Sequence, residues 1–482
     1  MKLNKLFMLS ALSMLLASGV TSCNTVSKTL TVWVGNEEGT TEFYQAACDA
    51  WLLEEGNPYA DYKITVKGTD VGSIAGTITQ DPKAAGDIFT VAHDNVGKLA
   101  AAKCAKPISE ATLVAQIQND NPSTFVDVCK SVVNGVEALY AAPYISQACF
   151  LYYDKTKITD EEVKTFEGIM EAAKRNNCKG WTVPSSDGAD GYNFSWSILS
   201  TRVSDHYTSL KLYEGASAGA GGTKGEVYCQ GDDRIATLRW VQDALENPNG
   251  FKFASSDGWE KDLQNKACLG LINGAWAKNS VASAIGEANM GVALIPTFTL
   301  TEGNVSGLDN TVVKAGDVYR GGTFADCKVF MLNANTNKSK YLAQQALVKY
   351  LSSVQMQTSA FEKQTIVPSA TAASAKIDEL YEQNKVTKAQ YDIAKVQVEM
   401  GSWGRPQPFI TGSLNTYYYS KSAPAVYAAM AVKSNYPTTG TALVTGTDQV
   451  AGIRQGLYMM NYIWLKGKNP TEIPTSLPAA IE

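Results

Sequence analysis

Histidine is nearly missing from this chain: its 482 residues hold two, His93 and His206. They stand far apart, with no HExxH pattern and no His/Cys cluster beside them, which excludes a dedicated zinc site of the usual spacing. The nine cysteines contain no CxxC pair. No basic block occurs: 42 Lys and Arg face 47 Asp and Glu, for a net charge of −5. Such a chain is poorly suited to a polyanion, so nucleic acid is not an expected partner. Beyond residue 20 no apolar run is long enough to cross a bilayer. The glycine-rich stretch from Gly215 to Gly225 contains "GASAG", which matches a nucleophile elbow on paper. The strand and helix that an elbow needs around its serine do not flank Ser217. The same stretch is no phosphate loop, because Thr223-Lys224 stands where Gly-Lys is required. No carboxylates sit in a recognisable catalytic motif, so an enzyme is not expected and neither is a cofactor.

What is present begins with a targeting segment. Lys2 and Lys5 precede the apolar run Leu6 to Val20, which ends in "VTSC". This order of charge, apolar core, small residues and cysteine reads as a lipobox. It predicts a signal peptide over 1–22 and a lipidated Cys23, with a short polar tether over 23–29. Lipid chains would hold the protein to the outer face of a membrane. The other eight cysteines are scattered, several in apolar runs such as "ACFLYYD" and "ACLGLING". They are expected to be mostly buried thiols.

The rest reads as a folded α/β chain, with 45% hydrophobic and 18% charged residues. Short apolar strands ("TLTVWVG", "DIFTVAH", "CFLYYD", "KGWTVP", "LGLING", "KVFMLN") alternate with amphipathic helices such as "TTEFYQAACDAWLLEEG" and "DRIATLRWVQDALENP". That alternation predicts largely parallel sheets covered by helices, and the length suits two lobes. After Lys340 the pattern is mostly helical to the end. Polar and aromatic residues collect where strands end: Glu37 and Glu38 in "WVGNEEG", His93, Asp94 and Asn95 in "AHDN", Asp190 and Tyr192 in "DGADGYNFSW", Trp276 in "INGAW". "GSWGRPQPF" and "NTYYYSK" add Trp403, Arg405 and Tyr417–Tyr419. Carboxylates and amides that bind hydroxyls, beside aromatic faces that stack on C–H patches, suit a sugar. Asp94 is either such a contact or a cap for the helix starting near Val96. Trp33, Trp196 and His93 are expected to be structural.

Several segments resemble the maltose/maltodextrin-binding group of extracellular solute-binding proteins of ABC transporters. These are "LTVWVGNEEG", "GDIFTVAHDNVGKLAAAKCAKPI", "ALYAAPYISQACFLYYDKTKI", "LGLINGAW" and "GVALIPTF", in the family's order over roughly residues 29–420. The resemblance implies a type II periplasmic-binding-protein-like α/β fold with ligand held between two lobes. One lobe would comprise 30–147 with 299–366, the other 148–298 with 367–482. It implies an oligosaccharide, maltodextrin first, delivered to a permease by a monomeric, lipid-anchored receptor. A different oligosaccharide, surface capture without transport, or a surface glycosidase using two carboxylates are the alternatives. Carried over residue by residue, Glu37 and Asp94 accept hydroxyls. Tyr192 (or Asn193, the spacing being ambiguous by one), Trp276 and one of Tyr417–Tyr419, here Tyr418, stack. Asp190 and Trp403 stand nearby. Glu38 and Asn95 replace a lysine and an arginine of the family pattern, and Val91 replaces a tryptophan. The tail beyond Tyr436 exceeds the pattern.

Overall fold

A computed structural model describes residues 27–184, 193, 196, 200–205, 213–214, 226–227, 232–255, 258–404, 435–439 and 442–445. Cys23, Asp190, Tyr192, His206, Cys229, Arg405 and Tyr417–Tyr419 lie outside the described residues, and Trp403 is placed by its backbone alone.

The first lobe is built on strands β1 (Thr29–Gly35), β2 (Lys63–Thr69), β3 (Ile88–Ala92), β4 (Ala105–Lys106) and β5 (Ala141–Gln147). β1 pairs parallel with both β2 and β3. Val32 and Val34 are wholly buried, as a central strand covered on both faces requires. Helix α1 (Thr40–Leu52) covers this sheet with Phe43, Tyr44, Ala47, Cys48 and Trp51. Those positions recur at three and four residues, the spacing of one helix face.

β5 leads straight into β6 (Cys149–Asp154), the first strand of the second lobe. There β6, β7 (Lys179–Pro184), β8 (Phe251–Ala254), β9 (Cys268–Gly274) and β10 (Met290–Ala293) form a five-stranded sheet in the order β8-β7-β9-β6-β10. Its core is aromatic. Phe166, from helix α2 (Phe166–Asn176), stacks on Trp181 at 4.3 Å between ring centroids, and Trp181 stacks on Phe251 at 5.2 Å. Trp196 is wholly buried among them, as expected. Helix α3 (Asp232–Glu246) adds Trp240.

The chain then returns as β11 (Asp326–Asn333), which enters the first sheet beside β3, β4 and β5 and runs antiparallel to all three. A last crossing follows near Val367, where Ser146 N–H donates to Val367 O at 2.9 Å and Ile145 bridges Pro368. Helix α5 (Lys388–Trp403) then packs against β5, β6 and β10. Three crossings therefore run side by side between the lobes, in the Ile145–Gln147, Asp326–Lys328 and Ile366–Pro368 segments.

Two expectations are corrected. Both sheets are mixed: β11 runs antiparallel to β3, β4 and β5 in the first, and β6 runs antiparallel to β9 and β10 in the second. The second change of lobe comes at Asp326 and not at 299: Leu300, Val313, Tyr319 and Phe324 pack in the second core. Within the part after Lys340 that reads as mostly helical, Asn435–Thr439 and Ala442–Thr445 pair as two antiparallel strands. The seven described cysteines make no disulfide with one another; six are buried and Cys178 is half-buried.

Candidate functional site

Two strand ends face each other across the lobes. On the first side β1 stops at Gly35, and Thr40 N–H donates to Glu37 O at 3.1 Å to close a turn before α1. Glu37 folds back over the strand end. A methyl group on Gly35 would lie 1.9 Å from Glu37 Oε2, so a side chain there would push the carboxylate out of this position. Lys328 Nζ donates to Glu37 Oε1 at 2.5 Å. Burial pushes the Glu37 carboxyl up, but the adjacent Lys328 charge and its hydrogen bond outweigh that and hold it below the usual glutamate range. The group is an anion, acceptor only.

On the second side β9 stops at Gly274, and Trp276 follows in a short turn before helix α4 (Lys278–Ile285). The indole lies back over the strand end: a methyl group on Gly274 would come within 2.0 Å of its ring. Trp276 is 41% exposed, unusual for so large an apolar side chain. Tyr152 Oη donates to Gly274 O at 3.1 Å and steadies the turn. Asn279 Nδ2 donates across to Glu38 Oε2 at 3.2 Å.

Glu37, Glu38, Trp276, Asn279 and Lys328 line one cleft of about 390 Å³, a size that suits a small organic ligand. Its floor is the crossing segment: Ser146 and Gln147 from β5, Val367 from the last crossing, and Gln397 from α5. Gln397 Nε2 donates to Ser146 O at 2.7 Å, which fixes the amide's orientation. Gln397 Oε1 and Ser146 Oγ are buried with no partner among the described residues. The cleft thus offers carboxylate and amide acceptors, ammonium donors and one broad aromatic face.

Sequence reasoning reached Glu37, Glu38 and Trp276, and the structure brings these together. Asp94 and Asn95 do not line this cleft. They lie in the 3-10 turn His93–Asn95, where Asn95 Nδ2 donates to Asp94 Oδ1 at 2.9 Å. The cap position of the next helix is Asn95, not Asp94. His93 is buried with Nε2 at 3.5 Å from Asp326 Oδ1, a structural place as expected. Asn193 is buried and accepts from the Cys149 thiol at 3.2 Å. Trp33 belongs to the first core. Lys328, Gln147, Asn279 and Gln397 were missed. Asn279 had a signal, three residues past Trp276 at the start of a helix. Lys328 had none, since nothing in its strand Asp326–Asn333 marks it as facing a carboxylate.

A family model described as bacterial extracellular solute-binding protein matches residues 53–389, more than half of the chain. The maltotriose-binding protein of Pyrococcus abyssi (strain GE5 / Orsay) is 26% identical over 223 residues, which is 44% of this chain and 42% of that protein. The chain thus spans less than half the length of that relative in the match. Among solved structures, the maltodextrin binding protein MalE1 from L. casei BL23 without ligand is similar with a TM-score of 0.63 and 18% identity, covering 84% of this chain and 94% of the other. A cyclo/maltodextrin-binding protein complexed with maltotetraose has a TM-score of 0.59 and 17% identity, covering 84% and 92%. These two likenesses establish the two-lobe fold.

Proposed function

Because this chain belongs to the bacterial extracellular solute-binding proteins, we propose that it captures an oligosaccharide between its lobes, with a maltodextrin first among the candidates, and passes it to the permease of an ABC transporter. The observation that carries the reading is the cleft itself, where Glu37 and Glu38 from one lobe meet Trp276 from the other. Carboxylates take sugar hydroxyls and the indole covers a C–H face. Relatives named for maltotriose and maltodextrin support the choice of sugar. Lipidation at Cys23 would keep the receptor at the cell surface near its permease.

Binding, rather than glycoside cleavage, is also what the electrostatics favour. A glycosidase needs one carboxyl held protonated as general acid. Glu37 is biased the opposite way, and Glu38 is engaged by an amide. Ligand touching both lobes favours whichever inter-lobe angle makes both sets of contacts, so closure is the expected response.

The test is calorimetric titration with maltose, maltotriose, longer maltodextrins, β-linked glucans and galactose-containing oligosaccharides, with product analysis after incubation. Tight binding of α-1,4 glucans without shortening supports the reading. Binding of another glycan alone discards maltodextrin and keeps the receptor. Release of shorter sugars sinks it in favour of hydrolysis.

A further inference from the structure

Lys328 is the cation that sequence reasoning missed, and its surroundings are unusual for a lysine. It lies on β11, directly opposite Ile145 on β5 and Ala92 on β3. Its side chain is 10% exposed, against 40% for its partner Glu37. The strand register slips between Lys328 and Val329, at the first turn of β11 into the lobe. So the ammonium is fixed by the strand that carries one of the crossings, while the carboxylate it holds belongs to the loop after β1.

We propose that Lys328 is the positioning residue of the cleft: it keeps Glu37 ionised and aimed into the cleft as an acceptor for a ligand hydroxyl. The assignment rests on the oligosaccharide reading above for the identity of the donor, but the pairing itself does not. A strand lysine is a better anchor than a surface one, because little side-chain freedom is left to lose. A carboxylate bound on one oxygen by Lys328 keeps lone pairs on the other for a hydroxyl donor.

The charged and titratable groups around Glu37 set the direction of the effect. Lys328 faces it from β11. Asp70, which caps the helix Val71–Gln80, faces it as a like charge, and Tyr44 from α1 and Tyr144 from β5 have buried hydroxyls near it. Glu38, Lys278 and Lys363 share the cleft. Without Lys328, burial and Asp70 remain to raise the Glu37 pKa, opposed by the hydrogen bond from Glu37's own backbone N–H, and burial is the largest of these. Opposite charges at this range shift a carboxyl by about one to three units.

The experiment compares the full-length protein with Lys328→Met, Lys328→Arg and Glu37→Gln. Carbon NMR follows the Glu37 carboxyl against pH without ligand, assigned by its loss in Glu37→Gln. Calorimetry follows maltotriose affinity from about pH 4 to 8. In Lys328→Met the Glu37 midpoint rises by about one to three pH units, and the acid loss of affinity moves up with it. At pH 8 Lys328→Met still loses affinity, because the carboxylate is no longer held in place, and that loss grows as pH falls; Lys328→Arg keeps both midpoints near wild type. Failure of wild type to bind maltotriose removes the maltodextrin reading, while the ligand-free Glu37 midpoint still decides the role of Lys328. An unchanged midpoint in Lys328→Met, or an equal loss of affinity at every pH, overturns the proposal. Should Lys328→Met fail to fold, Glu37→Gln decides: an acid loss that persists there also overturns it.

Discussion

Gly35 and Gly274 occupy matching places in the two lobes. Each ends a buried central strand, and each lets the residue two positions on fold back across the strand end. The space they leave is what aims Glu37 and Trp276 at one another. Gly274→Ala is therefore expected to swing the indole out of place and to lower maltotriose affinity about tenfold, roughly 1.4 kcal/mol, in a calorimetric titration. Trp276→Ala should lose at least as much affinity with little change in stability, since the ring is partly exposed. Trp196→Ala is the contrast: wholly buried against Phe166, Trp181 and Phe251, it should cost about 3–5 kcal/mol of unfolding free energy by denaturant titration. At this scale the sequence was readable where a residue type was both rare and polar or aromatic at a strand end. Lys328 was unreadable because nothing local marks that the lysine of β11 will meet a carboxylate 291 positions earlier.

Helix ends supply tests that leave the cleft alone. Thr387 caps α5 in a reciprocal box with Gln390. Thr387→Ala is expected to cost about 0.5–2 kcal/mol of stability while affinity holds, measured by urea unfolding and calorimetry on one preparation. Glu162, just ahead of α2, is bound by Arg175 from the last turn of that helix at 2.7 Å. That hydrogen bond, helped by the Thr159 N–H, pulls the Glu162 carboxyl down to about 2. Its stabilisation is complete above the unfolded glutamate value of about 4.3 and is lost as pH falls through 2. Both side chains are partly exposed, so Glu162→Gln should lose no more than about 1 kcal/mol at pH 7. At pH 2 and below, wild type and variant should converge. Among the elements, long periodic helices such as α1 and short apolar strands such as β9 were legible. β5 was not read as a strand, because Pro143 and the small residues of "AAPYISQ" carry weak strand signal and the partner that orders them is β11.

At the scale of the molecule, the crossings and the cleft are one device. Glu38 and Asn279 already touch across the lobes, and the floor beneath them is the bundle of crossing segments. Any ligand that bridges the sides should stabilise the whole chain. At one hundred times its dissociation constant, maltotriose should raise the unfolding free energy by about 2.7 kcal/mol, and small-angle scattering should show compaction. A shift in stability without compaction would argue for a cleft that binds without moving.

The α/β class, most of the alternation of strands and helices, and the residues at the ends of β1 and β9 were determined by the sequence alone, since each depends on local periodicity, turn chemistry or a short run of neighbours; the two lobes followed from chain length and family resemblance. The direction of the strands at the crossings, the point of return at Asp326, the Glu37–Lys328 pair and the floor of Ser146 and Gln397 were decided only by the tertiary structure. Those depend on which distant segments come to lie side by side, and side-chain charge and amide chemistry acquire their meaning from that neighbour rather than from the positions flanking them in the chain.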